Sequence, residues 1–235
     1  MRRLHGLEGV MCHILRKLTN ELELPKVPIK DYPQIYLDFE KMRNKGISEE
    51  RIEEYKDRAT SLFDKELNLI YLEEFDMEHL TEESSHFLNE YCNGNLNKPF
   101  SKKLFYDSFY GNCISEATAF FLSNLIKKRK PLETKEIEEK PVFKLYKEHL
   151  EYEKSKEALE GLSFLLQKII VLEIDGSVNI HDLIYLLGYN LGDKIFKSYS
   201  INKFTKENAR DLIYKDFSEE SSALMEYLTL VKFLE

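Results

Sequence analysis

Apolar residues recur at spacings of three and four near the start of the chain. Leu7, Val10, Met11, Ile14, Leu15, Leu18 and Leu22 form one stripe, which predicts an amphipathic helix over 4–24. Pro25, Pro28 and Pro33 follow; each lacks an amide donor and disfavours helix at the residue before it, so an extended crossing is expected. A short helix over 35–43 should end at Gly46, and Ser48 ahead of Glu49 and Glu50 opens another helix to about Lys65. Residues 67–72 fit either an extension of that helix or a strand with Asn68, Ile70 and Leu72 on one side. Strand is preferred, because Asp76 or Thr81 can cap a fresh helix directly after it. That helix should run to about Cys92, where Asn93-Gly94-Asn95 breaks it. The next covers roughly 102–128, with Gly111 as a candidate break.

Beyond residue 141 every segment reads helical, over 142–172, 178–198, 205–216 and 219–234. Asp175-Gly176-Ser177, Thr205 and Ser218 supply the turn and cap signals. The expected fold class is mainly α, with room for one small sheet in the first half: a helical N-terminal half and a helical C-terminal bundle. Residues 131–141 are charged, poor in large apolar side chains and bracketed by Pro131 and Pro141, so they read as a linker between domains at 1–130 and 142–235.

Composition narrows the function classes. Of 235 residues, 43% are apolar, enough for a core, and the scarcity of Gly (9) and Pro (6) agrees with the helical pattern. The 42 acidic against 34 basic side chains give a net charge of -8, which argues against nucleic acid and anionic membranes as partners. The apolar runs are much shorter than a membrane span, and Glu8, His13, Arg16 and Lys17 interrupt any signal-peptide core. Three cysteines at distant spacings (Cys12, Cys92 and Cys113) suit reduced thiols, so a cytoplasmic location is expected. Gly188 and Gly192, four apart, point to a close helix–helix contact or a homodimer face.

One short segment carries candidate chemistry. On a helix advancing roughly 100° per residue, His79, Glu83, His86 and Glu90 share a face beside the apolar stripe of Leu80, Phe87 and Tyr91. Within it, Glu82-Glu83-Ser84-Ser85-His86 resembles the zincin motif H-E-x-x-H with the first histidine replaced by glutamate. The segment Ser115-Glu116-Ala117-Thr118-Ala119-Phe120-Phe121 is similar to the E-A-x-x-F-A stretch of ImmA/IrrE-type metallopeptidases. The resemblance covers residues 48–125. It implies a strand ahead of the motif helix, a metal held by Glu82, His86 and Glu116, and Glu83 as the general base of a hydrolase. With two carboxylates and one imidazole, Mn or Fe competes with Zn as the metal, and a degenerate, non-catalytic domain fits the altered motif as well.

Two alternatives stand beside it. A non-enzymatic helical regulatory module would use the second half to meet a protein or peptide partner. A ferritin-like carboxylate site would build on Glu83-Ser84-Ser85-His86, with Glu116 and the acidic cluster of Glu148, His149, Glu151 and Glu153 as its nearest further ligands. Residues 175–182 mimic half an EF-hand loop but bring too few oxygens and read as a turn and cap. His5, Glu8 and Cys12 on the first helix read as packing and surface residues.

Overall fold

In the computed structural model, the described residues are 6–58, 61–94, 96, 108–127, 140–215, 217 and 219–235. Among them lie ten α-helices and one three-stranded sheet. The expected linker falls almost wholly outside the described residues, as do residues 102–107.

The first helix, α1 (Leu7–Glu21), buries the predicted stripe, with Met11, Ile14, Leu15 and Leu18 inside. After the proline crossing the chain enters β1 (Gln34–Tyr36), where sequence periodicity predicts the start of a helix; the helix α2 (Phe39–Asn44) begins three residues later, capped by Asp38. α3 (Glu49–Arg58) starts as expected but stops short of Lys65, because β2 (Ser61–Asp64) pairs with β3 (Leu69–Leu72). Residues 69–72 are therefore strand. The sheet order is β1-β3-β2, with β1 parallel and β2 antiparallel to the central β3.

All four residues of β3 are buried. Leu69 and Tyr71 pack with Tyr36, Met42, Ile52 and Tyr55 on the α2/α3 side. Ile70 and Leu72 alternate to the opposite face, where α4 (Met77–Cys92) lies and Phe63 meets Phe87 edge-on at 5.7 Å between ring centroids. Arg51 fastens α3 to the hairpin, with Nε and Nη2 at 2.9 and 2.6 Å from Asp64 Oδ2, which also accepts a 2.5 Å bond from the Tyr55 hydroxyl.

The next helix, α5 (Phe109–Ile126), is unbroken at Gly111. The segment predicted as one helix over 142–172 is two, α6 (Pro141–Glu153) and α7 (Ala158–Ile174). They turn through a polar stretch, and Gly161 leaves the space that the Tyr152 ring occupies. α8 (Ile180–Ser200) is capped by Asn179, whose side chain accepts from the His181 amide. α9 (Lys206–Tyr214) and α10 (Glu220–Leu234) complete the chain.

Two compact units result. The first holds α1–α4, the sheet, the last turn of α5 and α9; the second holds the rest of α5, α6–α8 and α10. In the second unit a fully buried polar chain links the helices. Tyr110 Oη lies 3.2 Å from His149 Nε2, His149 Nδ1 lies 3.1 Å from Glu153 Oε1, and the Tyr227 hydroxyl donates to Glu153 at 2.6 Å. No helix among the described residues is long and apolar enough to cross a membrane.

Candidate metal centre

The candidate residues sit on α4 and α5, and local sequence explains both helices. Asp76 caps α4 by accepting from the Glu78 amide at 3.0 Å, and Gly94, with a φ of +66°, follows its end. The amide of Asn93, in its satisfied orientation, donates to the carbonyls of Ile213 and Tyr214, which ties the C-terminus of α4 to α9 within the first unit. α4 is buried over most of its surface although it carries Thr81, Glu82, Glu83, Ser84, Ser85 and Asn89, and burying such groups is costly unless they are hydrogen-bonded. Ser84 and Ser85 bond back to the carbonyls of Leu80 and Thr81 at 2.6 and 2.8 Å.

Glu82 and Glu83 are both buried, with 7% and 6% of their surface exposed, although adjacent carboxylates on a helix point about 100° apart. Glu83 turns towards the sheet, where the Ser61 hydroxyl donates to its Oε1 at 2.7 Å. Glu82 stays with His86, one helical turn on. Glu116 is carried by the apolar α5, where Phe109, Tyr110, Cys113, Ala117 and Phe120 are buried around it. Glu82 and His86 lie one helical turn apart on α4 in the first unit, while Glu116 stands on the part of α5 that belongs to the second.

The other expected members of this face are engaged elsewhere. Glu90 pairs with Lys65 at 3.6 Å and His79 lies 3.8 Å from Asp76. The acidic cluster at 148–153 divides: Glu148 pairs with Lys168 at the surface, while His149 and Glu153 belong to the buried chain with Tyr110 and Tyr227. Burial opposes ionisation of Glu153, yet the His149 and Tyr227 hydrogen bonds and Lys194 at 3.6 Å hold its carboxyl below the ordinary range. In the EF-hand-like stretch Asp175 accepts from the Ser177 amide, as a turn residue does. Cys12 accepts from the Tyr32 hydroxyl at 3.6 Å inside the first unit.

Two contributors escaped sequence reasoning. Ser61 was hidden because β2 reads as the tail of a helix. Gly188 packs its backbone against Glu116: a methyl group there would overlap the Glu116 Cβ and come within 3.2 Å of the Ala117 amide nitrogen and the Cys113 carbonyl. The Gly-x-x-x-Gly spacing signalled a close approach, though not which helix made it.

No protein-family model, curated protein or solved structure matches this chain.

Proposed function

We propose that the protein is a zincin-like metal protein of the cytoplasm in which Glu82, His86 and Glu116 hold one divalent cation for metal-dependent hydrolysis. The observation that supports this reading is the pair Glu82 and His86, four residues apart on one turn of the buried helix α4, with Glu116 added by the resemblance of its segment. Two carboxylates and an imidazole make a hard set, suited to Mn²⁺ or Fe²⁺ as well as Zn²⁺. With three protein donors, a bound cation would keep positions open, as catalytic rather than closed structural sites do. It would polarise a carbonyl as a Lewis acid and supply a nucleophile at neutral pH. Glu83 is the general base in this reading, with the Ser61 hydroxyl donating to its Oε1 at 2.7 Å. Three scattered free cysteines accord with the cytoplasm.

Metal analysis of the chain purified after growth with Zn, Mn and Fe supplements tests the site. About one equivalent per chain is expected, abolished in Glu82→Ala, His86→Ala and Glu116→Ala and retained in Glu83→Gln. A metal-free wild type, or ligand variants that keep their metal, rejects the reading.

A second reading, a non-enzymatic helical module that meets a protein or peptide, is favoured by α7. Phe164, Val171 and Ile174 stand 62%, 62% and 75% exposed there at heptad-like spacing. On that reading, changing these three residues to serine removes function while metal content is irrelevant to it.

A further inference from the structure

We propose that the end of the sheet where β1 and β3 stop side by side docks a cationic peptide, one with a short aliphatic centre flanked by arginine or lysine. The surface lies wholly within the first unit and is independent of the metal-site reading. β1 and β3 are parallel, with Tyr36 opposite Tyr71, so both strands leave the sheet at the same end. The chain then parts in opposite directions. After β1 it enters α2 on the Leu69 and Tyr71 face, where Phe39 stacks on Tyr71 at 4.4 Å between ring centroids. After β3 it enters α4 on the Ile70 and Leu72 face. Adjacent parallel strands whose connections part in this way leave a crevice beyond their carboxyl ends, the place where open α/β sheets bind ligands.

Two kinds of side chain occupy these connections. Leu37, Phe75 and Met77 are large, apolar and exposed, gathered at one end of the sheet instead of scattered singly. Residues 37–40 and 73–78 also hold six acids and no lysine or arginine. Asp38 and Asp76 cap their own helices, accepting from the Glu40 and Glu78 amides at 2.7 and 3.0 Å, so neither helix start is open to an anion. Glu73 and Glu74 are exposed and have no cationic partner among the described residues. Apolar side chains rimmed by unpaired carboxylates complement a segment that presents cations beside aliphatic groups, and they repel an acidic one. Carboxylates spread over two connections call for more than one cation, which a peptide supplies.

Fluorescence anisotropy of the full chain tests this with a labelled peptide in which a run of leucines stands between pairs of arginines. Binding with a Kd of about 10 µM is expected. Glu73→Lys combined with Glu74→Lys should weaken it about tenfold or more, and Phe75→Ser about fivefold. Glu151→Lys combined with Glu157→Lys makes the same change in net charge at exposed positions of the second unit, and should leave affinity within about twofold. A peptide with serines at its centre, or with glutamates for arginines, should bind about tenfold more weakly. All these side chains are exposed, so melting temperatures should barely move. If the Glu73 and Glu74 lysine variant does not fold, Glu73→Gln combined with Glu74→Gln takes its place. A wild type that does not bind the leucine–arginine peptide overturns the proposal. So does an equal loss in the second-unit variant, which would reduce the effect to overall charge, or equal binding of the serine-centred peptide.

Discussion

Glu220 shows two local rules in opposition. It stands in the first turn of α10, and its carboxylate accepts from the Tyr110 amide at 3.3 Å near the start of α5, so helix termini and hydrogen bonds favour the ionised form. Burial prevails, and the carboxyl is pushed up to about 6. Because the folded value lies above the ordinary 4.5, the carboxyl's contribution is complete below pH 4.5 and is lost as pH rises through about 6. Glu220→Gln keeps an acceptor for the amide and removes the charge. Thermal melts should show the variant more stable than wild type at pH 8, with the difference vanishing by pH 4; equal melting temperatures at pH 8 would refute the account. Asp64, as buried from solvent as Glu82 and Glu83, accepts from the Arg51 guanidinium and the Tyr55 hydroxyl.

At the scale of elements, the two glycines of α8 show packing overriding propensity. Alanine at 192 would ordinarily add about 1 kcal/mol to a helix, but the overlap with α5 costs about 1–3 kcal/mol. Gly192→Ala is therefore expected to destabilise, and a denaturant midpoint moved upwards would show the contact to be looser than described. The same contrast explains what could be read from the sequence. α4 was legible because Asp76 and Asn93-Gly94 mark its ends locally, and the Glu82/His86 pairing follows from helical spacing alone. β2 was not, since Ser61–Asp64 becomes strand only through its register with β3. β1 likewise owes its state to a parallel partner more than thirty residues on. The turn between α6 and α7 contains neither Gly nor Pro, and the close packing of the Tyr152 ring on Gly161 that accompanies it joins residues on the two sides of the turn. Glu116 entered through its resemblance to a known segment. Gly188 stayed hidden as its neighbour because nothing in the order of residues says which helices cross.

For the whole molecule, the division into units does not follow the order of the chain. The first unit takes α9 from the far end, and the second takes most of α5 from before the proline-bracketed stretch. A fragment of residues 1–130 therefore lacks the helix that meets the Asn93 amide, and a fragment of residues 142–235 lacks Tyr110 and the helix that Gly188 and Gly192 cross. Neither fragment is expected to give cooperative thermal unfolding alone, and a sharp transition in either would show that its unit closes without the missing piece.

The late return of α9 also fixes a schedule for synthesis. A ribosome adding 5–20 residues per second needs ~6–24 s to pass from the end of α4 to the end of α9. Throughout that interval the C-terminal end of α4 waits for its last partner. The nascent chain thus spends seconds with an unfinished first unit, a state in which chaperone binding would act on the first half of the protein long after that half has been made.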